Sequence, residues 1–590
     1  MIAKCYAEAA KCWRVVGFAL LVCPLAASSG RGEEFVLTRF ATERLSDVYF
    51  SEGAAAGDIN GDGKADVVCG PYWYEGPSFR QKHEIYEPRP QDRERYADNF
   101  FSWVYDFDGD GRNDVLVVGF PGTPAHVYQN PGPVADQHWP KHQVIDWVSN
   151  ESPQLTNIVG DDHPEVVCTR DGFFGFASWD AEKPFSSWTF HPISEQIAPK
   201  KFGHGLGIGD INGDGRNDLI FSGGWFEQPK ADALSVRWKR HETSFSDSYG
   251  GAEMYAYDVD GDGDNDVITS QAAHDFGLGW YEQIGTGDEI QFQHHMIMGD
   301  RPEQNRYGVV FSELHSVNLV DLDGDGLKDI VTGKTYWSHH RQSPMWDADP
   351  VVYWFRLVRT AEGVDWIPYQ AGSSSGIGRQ LCVHDVNGDN LPDLVVGGMK
   401  GTHVLTQSRQ PVSKPVWLAA QPKAFVSTGK RPDRGQPAAK LPDGRIAGAI
   451  EGESLNAVQV SDGKTRVQEM SGFKNGSWSD GKQLFWSGAK PGARLTLEFE
   501  VPEGSEYDVG AVLTTARDYA IVNLQLDGKT LGSSIDLYDY PNVGTTGVLN
   551  FGTRSLSAGK HQLMIELIGA NDSAIKAYMV GFDCLILEKK

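Results

Sequence analysis

Short apolar and polar alternations recur through the first two thirds of the chain, as at Leu206/Ile208, Val317/Leu319 and Leu381/Val383. A period of two predicts strands with one buried face. Each run leads into an acidic stretch and resumes as a second apolar run, for example Asp266-Val-Ile-Thr, Asp329-Ile-Val-Thr and Asp393-Leu-Val-Val. The acidic stretches are copies of one pattern, Asp-x-(Asp/Asn)-Gly-Asp-x-x-x-Asp. Intact copies start at Asp58, Asp106, Asp210, Asp258, Asp321 and Asp385, and a worn one runs from Asn157 to Glu165. The spacing gives units of roughly fifty to sixty residues, the length of a four-stranded propeller blade. The last unit supplies three strands, ending near Gln407, and an orphan strand over residues 35–40 completes it. The prediction is an all-β chain: a seven-bladed β-propeller with calcium-binding loops over residues 35–407, closed by that mixed blade and followed by a β-sandwich.

Oxygen ligands at positions one, three, five and nine of each loop, with a carbonyl at seven, suit a hard cation, and glycine permits the turn. The expected structural Ca2+ ligands are Asp58, Asn60, Asp62 and Asp66; Asp106, Asp108, Asp110 and Asp114; Asp210, Asn212, Asp214 and Asp218. They continue with Asp258, Asp260, Asp262 and Asp266; Asp321, Asp323, Asp325 and Asp329; and Asp385, Asn387, Asp389 and Asp393. The worn copy has Val159 where an oxygen belongs, so no tight site is expected there. The alternative for any single copy is an acidic turn that binds nothing. An EF-hand is excluded, because its loop closes on Glu at position twelve between helices.

If each loop joins the innermost strand to the next, residues five or six positions earlier line the opposite end of the ring. Six back stand Glu52, Phe100, Glu151, His204, Ala252, His315 and Arg379; five back adds Glu253 and Gln380. Exits of the second strands bring Tyr72, Trp73, Trp225, His274, Lys334, Tyr336 and Lys400 to the same rim. His204, Glu253, His274 and His315 form a donor set for Zn2+ or a similar divalent metal. Glu52 or Glu151 is the candidate base; Lys334, Tyr336 and Arg379 are candidate proton donors or stabilisers of developing negative charge. Trp73, Trp225 and Trp337 are candidate sugar platforms.

The acidic loops resemble FG-GAP/VCBS repeats, shared with integrin propellers and many secreted bacterial proteins. Longer phrases, Gly203-His-Gly-Leu-Gly-Ile-Gly-Asp210, Glu253-Met-Tyr-Ala-Tyr-Asp258, Ala273-His-Asp-Phe-Gly277, Glu313-Leu-His-Ser316 and Thr332-Gly-Lys-Thr-Tyr-Trp337, are similar to the propeller part of aldos-2-ulose dehydratases. That resemblance implies elimination of water from a keto-sugar. The cupin domains of that family have no counterpart here, so its isomerase step is not expected.

A net charge of −27 argues against nucleic acid and anionic membranes as partners. Residues 1–29 carry Lys4, Lys11 and Arg14, then a short apolar run, and read as a signal peptide, with a membrane anchor as the alternative. Localisation is therefore expected to be secreted or periplasmic, with no membrane span in the mature chain. Cys69, Cys168, Cys382 and Cys584 lie in strand-like runs and read as core residues. Residues 408–445 are proline-rich and predict a linker or strap.

From residue 446 clean alternation returns at Leu495/Leu497/Phe499/Val501, Val522/Leu524/Leu526 and Leu563/Ile565/Leu567, predicting a jelly-roll β-sandwich over residues 446–590. Its opening Ile450-Glu451-Gly-Glu453 and closing Gly581-Phe-Asp583 resemble galactose-binding-like carbohydrate modules. The resemblance implies structural calcium on Glu451, Glu453 and Asp583. Trp478, Tyr538 and Tyr540 are further sugar-stacking candidates. Two functions stay open: a carbohydrate-active dehydratase or lyase, and a non-catalytic propeller that binds glycans or proteins.

Overall fold

A computed structural model describes residues 35–133, 137–246, 250–300, 302–337, 339, 343–345, 348–425, 435–436, 440–473, 478–539, 543–571, 574 and 576–590. The signal-peptide expectation and Tyr540 fall outside them. The chain is nearly all β; the one α-helix among the described residues is Lys414–Ala420.

Seven four-stranded antiparallel meanders account for the repeats, two of them joined edge to edge. Their first strands are Ala55–Gly57, Phe101–Tyr105, Gln154–Thr156, Leu206–Gly209, Glu253–Tyr257, Val317–Val320 and Leu381–His384. Every acidic loop links a first strand to a second. The register closes at the loop's ninth residue, as in Gly57 opposite Asp66, Thr156 opposite Glu165 and Val320 opposite Asp329. In the last meander the outer strand is Phe35–Ser46, beside Thr402–Val412. The orphan strand is thus longer than residues 35–40, and its neighbour continues past Gln407 into the stretch expected as linker.

First strands meet their neighbours closely. Leu206–Gly209 pairs in parallel with Glu253–Tyr257, and a Cβ on Gly207 would stand 2.0 Å from the Met254 carbonyl, so only glycine fits. Side chains reach between meanders: Gln154 Nε2 donates to Leu206 O at 3.0 Å and Asn318 Nδ2 to Leu381 O at 3.1 Å. The first meander meets the last through a bridge between Gly53 and Gln380. Cores lie between adjacent meanders, as where Ile268 and Trp280 pack with Ile330 and Phe355.

The chain divides into two compact units. The smaller contains Phe35–Leu37 with residues 409–421, where Phe35 and Trp417 rings stand 5.4 Å apart. The larger contains the rest of the meanders and, from residue 446, two further antiparallel sheets. One runs Lys464–Glu469, Lys482–Ser487, Val580–Lys589, Ser505–Thr515; the other runs Asn456–Val460, Arg494–Val501, Gly559–Gly569, Ile521–Leu526, Lys529–Asp536. Their alternating apolar residues, Leu495, Leu497, Val522, Leu524, Leu563 and Ile565 among them, share one core with Leu513 and Leu585. The four described cysteines are free thiols.

Candidate functional site

Glu52, Glu151, His204, His315 and Arg379 each stand just ahead of a first strand, and His274 follows the second strand Asp266–Ser270. Ligand atoms of Glu151, His204, His274 and His315 all lie within 4.8 Å of one another. The rings of His204 and His274 are 4.7 Å apart, and those of His274 and His315 5.0 Å. Burial, with Arg379 and other imidazoles adding repulsion, lowers His204 to about 3 and pushes His274 and His315 down too. All three rings are therefore neutral, the form that ligates metal.

Arg379, 1% exposed, sets its Nε 3.8 Å from Glu151 Oε2 and donates its backbone N–H to Glu52 O at 2.6 Å. Burial raises the Glu151 carboxyl, and Arg379 opposes that rise. Glu52 is buried and accepts a hydrogen bond from the Tyr49 hydroxyl. The Arg379 guanidinium lies over the Tyr96 ring, 5.2 Å from its centre.

Two residues of the cluster escaped sequence reasoning. Glu313 is fully buried, with Oε2 3.3 Å from His315 Nε2 and 3.2 Å from His339 Nδ1. Burial alone would raise its carboxyl; hydrogen bonds from His339 and Ser343 and the charge of Arg379 outweigh burial and lower it. Glu313, His315 and His339 form a second group with ligand atoms within 4.8 Å. Phe202, Glu313, Trp337 and His339 all have φ between 55° and 66°, non-glycine residues in the left-handed region gathered along the segments that carry the cluster. Such strain costs about 1–3 kcal/mol per residue and persists where the surroundings over-determine it.

Several expected site residues stand elsewhere. The Glu253 carboxylate accepts the Val317 N–H at 2.8 Å, and burial pushes it up to about 7; it belongs to neither group. The residue five back lies one step out of phase with the residue six back, and side chains alternate along an extended chain. Trp225 is 2% exposed and stacked on His241 at 3.9 Å, a core wedge with no face for a sugar. Tyr72 is buried, and Lys82 covers its ring. Trp73 stacks on His83 and lines a cleft of about 730 Å³ with Asn60 and Arg112, at the acidic-loop end. Lys334 is fully buried, its Nζ donating to Thr335 O at 3.0 Å. Tyr336 and Trp337 are half-buried, the first under Lys400 at 3.8 Å, the second under Arg93 at 4.5 Å. Trp478 is buried and donates to Thr514 Oγ1, so it presents no stacking surface; Tyr538 is half-buried.

In the acidic loops, positions one, three and five gather: Asp106, Asp108 and Asp110; Asp258, Asp260 and Asp262; Asp321, Asp323 and Asp325 each have oxygens within 4.8 Å. Position nine is buried and holds backbone at both ends. Asp66 accepts N–H groups from Ile59 and Gly76, Asp218 from Ile211 and Gln228, Asp329 from Leu322 and Leu357. Glu165 of the worn loop accepts the Ile158 N–H in the same way. Asn at position eight ties loop to loop: Asn113, Asn217 and Asn265 donate to the carbonyls of Asp58, Asn157 and Asp210.

In the C-terminal sheets, Asp583 is fully buried and accepts the Ser479 N–H, while Ser479 Oγ donates to Glu451 Oε1 at 2.7 Å. Burial, then Glu451 and Glu453, push Asp583 up to about 8. Glu451 Oε2 and Glu453 Oε2 are buried with no hydrogen-bond partner among the described residues.

The family model of the FG-GAP-like repeat matches residues 321–396, and that of the FG-GAP repeat residues 50–78. No curated protein matches the chain. Among solved structures, a β-(1,4)-mannanase of Podospora anserina with a CBM35 module aligns at 13% identity over 24% of this chain, which spans 27% of that one, with a TM-score of 0.16. An exo-β-1,3-galactanase of Phanerochaete chrysosporium aligns at 12% identity over 82% of this chain and 95% of that one, TM-score 0.22. An Agrocybe aegerita lectin that recognises terminal N-acetylglucosamine aligns at 15% identity over 64% and 85%, TM-score 0.35. These scores are too low to carry over ligand or activity. The chain contains FG-GAP repeats, in keeping with a repeat protein of the propeller type.

Proposed function

We propose that the seven meanders close into a seven-bladed propeller and that the protein is an exported, metal-assisted carbon–oxygen lyase acting on a keto-sugar or related glycan. The convergence of Glu151, His204, His274 and His315 at the strand ends supports this reading. Glu151 with two of these neutral imidazoles would hold Zn2+ or a similar divalent ion and leave a position open, and the ion would supply Lewis acidity toward a substrate carbonyl. With Glu151 in that group and Glu313 engaged by His315 and His339, Glu52 is the carboxylate left for the base. It takes the proton from the carbon next to the carbonyl, the electron pair of that C–H bond forms the new C=C bond, the C–O bond to the β-oxygen breaks, and the oxygen leaves as water or an alcohol with the proton that Glu52 returns to it. Arg379 holds Glu151 and supplies positive charge where the enolate oxygen develops. Ca2+ in the acidic loops and on Glu451, Glu453 and Asp583 is structural, and the C-terminal sandwich binds glycan.

A second reading is a non-catalytic, calcium-stabilised propeller for glycans or proteins. It is favoured by the burial of Glu52, Lys334 and Arg379, each no more than 1% exposed. Incubation of zinc-loaded protein with anhydrofructose and 3-keto-glycosides, followed by ultraviolet absorbance, separates the two. An absorbing enone product that disappears in His204→Ala is expected; no product from any keto-sugar would leave the binding reading.

A further inference from the structure

The imidazoles and carboxylates around His315 outnumber what one ion needs. Two sets of the same composition, each two histidines and a glutamate, stand side by side. We propose that the cluster holds two divalent ions, one on Glu151, His204 and His274, and a second on Glu313, His315 and His339. The first ion is that of the proposed function, with His315, which both groups contain, given to the second ion; the second is additional to it.

Spacing is the first argument. In a tetrahedral site with bonds of about 2.0–2.1 Å, ligand atoms stand about 3.3–3.4 Å apart. Glu313 Oε2 is 3.3 Å from His315 Nε2 and 3.2 Å from His339 Nδ1, close to two edges of such a tetrahedron. Charge is the second. Glu313 is fully buried; its ion-pair contacts among the described residues are both histidines, which bring positive charge only when protonated, and the permanent cation that also acts on it, Arg379, is shared with Glu151. A buried carboxylate is stable only when compensated, and a divalent ion does this while leaving the rings neutral. Strain is the third: Glu313 and His339 are both held at positive φ, 66° and 55°. A hydrogen bond that merely orients an imidazole does not require two non-glycine residues in that region. Finally, the rings of His274 and His339 are 3.4 Å apart, so the two sets share one space. Paired ions there would act on the same substrate oxygens, and the added positive charge suits an enolate.

The competing role for Glu313 is to orient His315 and His339 by hydrogen bonds alone. Metal stoichiometry separates the roles. The full-length protein would be loaded with Zn2+, desalted, and analysed by elemental mass spectrometry, with calcium content and thermal midpoint reporting the fold. Two zincs per chain are expected, falling to one in Glu313→Gln, in His339→Ala and in His204→Ala, and to none in the His204→Ala/His339→Ala double variant. If Glu313→Gln fails to fold, His339→Ala carries the test. A single zinc lost in His204→Ala but kept in His339→Ala would overturn the second site and leave the proposed function intact. A single zinc kept in His204→Ala and lost in His339→Ala would overturn the first site instead, and no zinc at all would overturn both.

Discussion

Position nine of the acidic loops makes a prediction that separates scaffold from cation. Asp218 is fully buried; Ile211 donates its N–H at 3.0 Å and Gln228 at 2.9 Å, which pins the loop's start to the third strand Gly224–Glu227. Asp218→Ala leaves both donors without this acceptor, at about 1–3 kcal/mol each. Burial, which pushes this carboxyl up to about 7, works against its charged form, so the net loss belongs in the lower half of the sum, about 2–4 kcal/mol. Urea unfolding followed by tryptophan fluorescence, with calcium and with chelator, measures it. The loss should appear in both conditions. Asp214→Ala, at an exposed fifth position whose surface contact with Arg216 is worth little, should lose appreciable stability only where calcium is present. Glu165→Ala provides an internal control, since its loop lacks the third oxygen yet keeps the bond from Ile158 at 3.0 Å; its loss should not depend on calcium. An Asp218→Ala deficit that vanishes in chelator would refute the reasoning, because position nine would then act through the cation alone.

Three further outcomes follow from local geometry. Gly378→Ala would place a Cβ 1.7 Å from Glu52 O and 2.4 Å from Gly397 O, so its thermal midpoint should fall sharply; a wild-type midpoint would contradict the close approach. Asn265→Ala removes the hydrogen bond that Nδ2 donates to Asp210 O at 2.7 Å and should cost about 1 kcal/mol in denaturant unfolding, with no loss telling against the loop-to-loop tie. Burial alone would lower His561, but Asp527 at Nδ1 and the Ser557 carbonyl at Nε2 outweigh it and raise its pKa. Its stabilisation is therefore complete below the ordinary histidine value of about 6.5 and is lost as pH rises through the higher folded value. His561→Gln should flatten the thermal stability profile between about pH 6 and 8; an unchanged profile would remove His561 as its source.

The repeat was legible because it has a strict period and one chemical signature. The acidic loops placed seven first strands, the missing fourth strand of the last unit pointed to the orphan outer strand, and counting six residues back reached Glu52, Glu151, His204, His315 and Arg379. Counting five back failed at Glu253 and Gln380 for one reason. Alternation turns them toward neighbouring backbone, Glu253 to Val317 and Gln380 to both polar groups of Ser102. Glu313 and His339 were missed because they obey no strand period; both sit on irregular backbone at positive φ, His339 in the long connection between Asp329–Gly333 and Val352–Thr360. The sequence signal was the pair His339-His340 directly after Tyr336-Trp337-Ser338. Aromatic residues misled most. Trp225 lies in the strand Gly224–Glu227 and Trp478 just ahead of the 3-10 turn Ser479–Gly481, where a sequence cannot tell a platform from a wedge, and both are buried.

Anomalous X-ray scattering at the zinc edge, from crystals grown with Zn2+, shows whether a divalent metal sits at the converging strand ends. An anomalous peak bounded by Glu151, His204 and His274 is expected, and it should be absent from His204→Ala crystals. Zinc-edge scattering confined to the acidic loops or the crystal surface, with none among these residues, would contradict a metal there.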